Sequence, residues 1–207
     1  MSRIVFDVGA HDGTSGIEHC LGQSDAILYS FEPDPNMHST IVKNYNNNPN
    51  FHLFPMAVSD KNGISQFNFC KIGAAHSIYT FKNDDILTKQ WGGRNDIHAN
   101  GKFTQVQTIR LDTFIEKNNI SKIDYLHIDA QGADLTVLQS LGKHTKIVKE
   151  GCCEAARDQT VSIYKEQTSF LYTVIDWLMK NDFEILSVTP NDPTLCEFNI
   201  KFKNNNF

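Results

Sequence analysis

The chain carries no excess of positive charge. Nineteen Lys and Arg stand against 24 Asp and Glu, a formal net charge of −5 over 207 residues. That balance lacks the electrostatic footprint of a nucleic-acid binder. The lysines that cluster, Lys143, Lys146 and Lys149 and the pair Lys201 and Lys203, read as solvated faces. Five cysteines form no CxxC pair, so neither a redox dithiol, a zinc knuckle nor a disulfide framework is expected. Free thiols point to a reducing compartment, and Cys152–Cys153, in an apolar run, reads as core. No run of about 18 apolar residues exists to span a membrane. The sequence is in an apolar strand by Ile4, with no room for a signal peptide, so a cytoplasmic protein is expected. No internal repeat stands out.

What is present is ordinary globular composition, 40% hydrophobic and 21% charged. The length suits a single domain over residues 1–207. Short apolar runs alternate with helical periods: strands at Ile4–Val8, Ala26–Phe31, Phe51–Val58, Ile123–Ile128, Ile147–Cys153, Phe183–Val188 and Leu195–Phe202, helices at 14–21, 36–48, 135–141 and 171–178. This rhythm predicts a seven-stranded, mostly parallel sheet with helices on both faces. The last two strands are joined by an Asn-Asp-Pro turn without a helix, so the final strand should run antiparallel. An insertion at about 64–108 breaks the rhythm with two alternating strands, Ile64–Ile72 and Phe103–Leu111. Between them, Gly73–Gly101 shows no clear period and reads as a lid or mobile loop. Its polar and aromatic groups, among them Trp91 and Arg94, suit a carbohydrate-like acceptor.

Five strand tips carry candidate chemistry. Asp7-Val8-Gly9-Ala10-His11-Asp12-Gly13 turns from the first strand into the first helix. Its glycines allow close backbone approach, but the pattern is not the G-x-G-x-x-G of pyrophosphate binders. A leading acid repels phosphate and suits a cationic ligand such as S-adenosylmethionine. Glu32 ends the second strand, where an acid can accept hydrogen bonds from ribose hydroxyls; Pro33 follows it. Ala57-Val58 ends the third strand, where an adenine could pack. In His127-Ile128-Asp129, a spacing of two puts both polar residues on one side of the fourth strand. Asp129 can orient a hydroxyl or act as base, with His127 or with Glu154 from the fifth strand. Two acids without a third fixed ligand do not make a metal site, and no metal is assigned.

In this order the segments Phe6–Gly13, Ser30–Pro35, Ala57–Gly63, Ile109–Asp112 and His127–Asp134 resemble the FkbM family of S-adenosylmethionine-dependent methyltransferases. The resemblance implies a class I, Rossmann-like methyltransferase fold. It implies a cofactor held by Asp7, Gly9, Ala10, His11, Gly13, Glu32, Pro33, Ala57 and Val58, and O-methylation of a small-molecule or carbohydrate hydroxyl with Asp129 at the site floor. Where the family tends to have a glutamate at position 131, this chain has Gln131, so no role is carried to it. Neither nucleic acid nor membrane is expected as a partner, and a homo-oligomer stays open. The other readings are a metal-dependent catechol-type O-methyltransferase and a non-catalytic S-adenosylmethionine-binding module. An amino methyltransferase lacks its Asn/Asp-Pro-Pro-aromatic stretch after the fourth strand, and Asp7 argues against a nicotinamide enzyme.

Overall fold

The run Ile4–Val8 that opens the sequence pattern lies at the centre of the main sheet. A computed structural model describes residues 2–14, 26–45, 47–71, 75–94 and 97–207. The strands are β1 (Arg3–Val8), β2 (Ala26–Phe31), β3 (Phe51–Phe54), β4 (Ala57–Val58), β5 (Gly63–Cys70), β6 (Ala99–Ile109), β7 (Tyr125–Ile128), β8 (Glu150–Ala156), β9 (Phe183–Pro190) and β10 (Glu197–Asn204). The helices are α1 (Pro35–Tyr45), α2 (Asp85–Gln90), α3 (Leu111–Lys117), α4 (Asp134–Gln139) and α5 (Leu171–Lys180), with a 3₁₀ turn at Gly142–Ile147. Seven strands pair in the order β3-β2-β1-β7-β8-β10-β9. Pairing is parallel from β3 to β8, and β10 is antiparallel to both β8 and β9. This is the seven-stranded, mostly parallel sheet that the rhythm of the sequence predicts, and it fits the Rossmann-like methyltransferase fold that the family resemblance implies. The helix expected at 14–21 lies outside the described residues apart from Thr14. No helix among the described residues is long and apolar enough to cross a membrane.

The strand expected over Phe51–Val58 is in fact two. Pro55 has no N–H to give the ladder; the chain folds back across it, with Met56 N donating to Phe54 O at 2.8 Å. Phe51–Phe54 stays in the main sheet, while Ala57–Val58 crosses to a second sheet of order β4-β6-β5. Helix α1 starts on Pro35, where a missing N–H costs nothing. Asp34 caps it by accepting from Asn36 N at 2.9 Å.

One core fills the sheet face under α3, α4 and α5. At its centre Phe114 packs edge-on against Phe31 and Phe54, with centroids 4.9 and 4.7 Å away. A separate core holds Phe81, Leu87, Trp91 and Ile97 of the insertion against Val161, Ile163 and Tyr164. The described part of Gly73–Gly101 is therefore a packed cover, not a free loop. Trp91 is 3% exposed and its Nε1 donates to Val161 O at 2.9 Å. Tyr164 Oη donates to Ala75 O at 2.8 Å. These partners lie some 70 to 90 positions apart, so they leave no local period to read.

Candidate functional site

The carboxyl tips of β1, β2 and β7 meet at one point. Gly9 N and Ala10 N donate to Phe31 O at 2.9 and 3.2 Å, and Asp129 N donates to Val8 O at 2.8 Å. Gly9 has φ +90, and a Cβ there would stand 1.9 Å from Asp129 O, so only glycine lets these tips close on each other. From this point open two compartments, which share His11, Asp129 and Gln131 in their walls.

The first is a cleft of about 600 Å³, counting its solvent-open part, within the range of ligand pockets. Its walls are mostly apolar: Val8, Phe31, Met56, Val58, Phe67 and Ile78. Glu32 is 4% exposed on this wall. Its Oε2 accepts from His11 N and its Oε1 from Asp34 N, both at 2.6 Å. Burial nevertheless pushes its pKa up to about 8, with the charges of Asp34 and Asp7 adding to that. Each carboxyl oxygen accepts one backbone N–H and keeps a further lone pair for a second donor. A vicinal diol would supply two, so the adenosine ribose of S-adenosylmethionine fits this wall and its adenine fits the apolar slot. The insertion closes the far side of the cleft: His76 Nδ1 donates to Asp34 Oδ2 at 3.0 Å. Burial works against charge on this ring, but the bonds to Asp34 and Cys70 outweigh it and push His76 up to about 9.

Of the residues expected to hold a cofactor, Gly9, His11, Glu32, Pro33, Ala57 and Val58 line the cleft. Asp7, Ala10 and Gly13 stand behind it. Asp7 is fully buried; His127 Nδ1 donates to its Oδ1 at 2.7 Å, and its Oδ2 has no partner. Ala10 is buried in the core beneath α1, and Gly13 O accepts from Tyr45 Oη at 2.8 Å. Met56, Phe67, His76 and Ile78 also line the cleft; the sequence put Met56 next to Ala57 at the adenine end and His76 on the insertion, but gave Phe67 and Ile78 no such role. Proline 55 and the apolar positions of the alternating strand Ile64–Ile72 were the available signals.

The second compartment is polar. Asp129, Glu154 and Glu197 line it, with Asn191, Arg94 and Trp91. Asn191 Nδ2 donates to Glu154 Oε1 at 2.8 Å and to Glu197 Oε2 at 3.0 Å. Burial raises all three carboxyls, Glu197 to about 7; the charge of Asp129 adds to this at Glu154 and Glu197, whereas the charge of His127 and the hydrogen bonds of Gln131 and Glu154 hold Asp129 back. The three interacting carboxyls therefore titrate as a group. Gln131 Nε2 donates to Asp129 Oδ1 at 2.6 Å and fixes that carboxyl. Gln131 is itself held by Ser77 Oγ, which donates to its backbone O at 2.8 Å, and by Tyr164 Oη, which donates to its Oε1 at 3.2 Å. The position that departs from the family pattern is thus a positioning residue for the site-floor acid. His127 is half-buried and lines neither compartment; its pairing with Asp7 neutralises a buried carboxylate. Glu197 went unnoticed in the sequence, because only the antiparallel register of β10 on β8 brings it beside Glu154. Among the described residues no group of three or more His, Cys, Asp or Glu is arranged to hold a metal ion.

The family model described as "Methyltransferase FkbM domain" matches residues 7–185. The curated 2-O-methyltransferase NoeI of Sinorhizobium fredii (strain NBRC 101917 / NGR234) is 28% identical over 149 residues, which are 69% of this chain and 58% of that protein. The chain thus spans less than two thirds of that relative's length. The crystal structure of methyltransferase FkbM from Methylobacillus flagellatus KT is similar with a TM-score of 0.58 at 12% identity, covering 97% of this chain and 43% of that one. Fibrillarin of Aeropyrum pernix, crystallised with natively bound S-adenosyl-L-methionine, has a TM-score of 0.53 at 12% identity and covers 97% of this chain and 66% of that one. At such identities the two structures speak to the fold alone.

Proposed function

Because the chain belongs to the FkbM methyltransferase family, we propose that it is an S-adenosylmethionine-dependent O-methyltransferase acting on a hydroxyl of a small molecule or carbohydrate. The observation that carries this reading is the junction of an apolar cleft ending in a buried Glu32 with a carboxyl-lined compartment at Asp129. S-adenosylmethionine, when bound, supplies a sulfonium-activated methyl group. Glu32 holds the ribose hydroxyls, and Met56, Val58, Phe67 and Ile78 exclude water from the base. Asp129, oriented by Gln131, aligns the acceptor hydroxyl at the junction and takes its proton. Glu154 and Glu197 share that proton through the carboxyl group they form with Asp129. Most of the acceleration comes from fixing the hydroxyl, where intramolecular placement is worth ~7–11 kcal/mol. A positioned base adds ~10²–10⁴-fold.

Transfer of a labelled methyl group from S-adenosylmethionine to a panel of hydroxylated acceptors tests the reading. Product resistant to mild base, as an ether is and an ester is not, is the expected result. Labelled product only on nitrogen or carboxylate acceptors would overturn it. The same assay with EDTA addresses the metal-dependent alternative: activity is expected to persist, and its loss with recovery on adding a divalent cation would favour that alternative.

A further inference from the structure

We infer that the second compartment selects a neutral, polyhydroxylated acceptor, and that Glu197 is the specificity-determining residue that turns anionic acceptors away. This inference rests on the methyltransferase reading above. The compartment is a cavity continuous with the donor cleft through His11, Asp129 and Gln131. Its far wall is built by the last hairpin of the sheet. Glu197 pairs in register with Ala156, and Asn199 with Glu154, so both carboxyls project from one face of the sheet, a two-residue step apart.

Asn191 fixes their separation. Its backbone N donates to Glu197 O at 2.9 Å. Its side-chain Nδ2 reaches Glu154 Oε1 and Glu197 Oε2, and its Oδ1 accepts from Asn199 Nδ2 at 3.1 Å. Two acids held by one amide present their remaining acceptor lone pairs to the same cavity. Ile97, Ile163 and Trp91 give the compartment an apolar side, suited to the C–H face of a sugar ring. The cation on the wall is Arg94, set 5.5 Å over the Trp91 ring. Beside Asp129, Glu154 and Glu197, a carboxylate or phosphate entering the compartment adds to the repulsion that these carboxyls already exert on one another.

The test uses protein loaded with S-adenosylhomocysteine and matched probe pairs, a methyl hexoside and its uronic acid, read by saturation-transfer NMR and by methyl-transfer rates. Wild type should prefer the neutral member by at least ~10-fold, the scale of one like-charge contact in a solvated pocket. Glu197→Gln keeps the hydrogen-bonding reach but not the charge; it should narrow the ratio of KM values between the two probes roughly tenfold, whatever it does to the kcat they share. Glu197→Ala should weaken the neutral probe as well. Equal binding of both members by wild type, binding of neither, or an unchanged ratio in Glu197→Gln would overturn the inference. Failure of S-adenosylhomocysteine itself to bind would instead overturn the methyltransferase reading.

Discussion

The two compartments are built in different ways. The donor cleft is assembled from the tips of adjacent parallel strands, each followed by its own turn, and its key acid Glu32 is held by backbone N–H groups 2 and 21 positions away. The polar compartment, proposed to take the acceptor, is assembled from distant pieces: the insertion, the segment after β8, and the hairpin that carries Asn191 and Glu197. A donor site common to a fold can rest on local turn chemistry. A site for a particular acceptor draws on the segments that vary most freely, and these are held by long-range packing.

The largest expected effect lies where the compartments meet. Asp129→Asn should lower single-turnover methyl transfer by ~10²–10⁴-fold; a loss under about threefold would move the base elsewhere in the carboxyl group. Next comes the cover. Trp91→Ala should cost about 3–5 kcal/mol in urea unfolding, as a buried core aromatic does. A cost near that of an exposed residue, below about 0.5 kcal/mol, would restore the free-lid picture of Gly73–Gly101. Phe114→Ala in the main core should cost a similar amount, which would show the two cores to be comparably packed. The smallest effect sits at the seam between insertion and donor cleft. Pairing with Asp34 raises the His76 ring, so its stabilisation is complete below about 6.5 and fades as pH rises through about 9. From pH 7 to 10 wild type should therefore lose more thermal stability than His76→Gln, by roughly 2–4 °C for each kcal/mol involved. Parallel curves for the two proteins would remove His76 from the seam.

This division also explains what could be read from residues alone. Glycine 9, Glu32 and Asp129 announce themselves because strand, turn and helix are contiguous there, and the turn demands particular residue types. The parallel sheet and its antiparallel last strand follow from the same local rhythm. Position 55 shows the limit of that rhythm: an apolar run reads as one strand, yet its proline ends the ladder and sends Ala57–Val58 into another sheet. Asp7 misleads in another way, since an acid at a strand tip can face the sheet interior and pair with His127 instead of a ligand. Glutamate 197 and Gln131 carry no local mark at all. One acquires its place through antiparallel register, the other through hydrogen bonds to Ser77 and Tyr164, 54 and 33 positions away.

Calorimetric titration of S-adenosylhomocysteine into the purified protein tests the central claim, a donor cleft organised by Glu32 and separate from the acceptor wall. One site per chain is predicted, weakened ~30-fold or more by Glu32→Ala, the scale of losing charged hydrogen bonds, and retained in Glu197→Gln. Absence of binding, or binding indifferent to Glu32, would contradict the account.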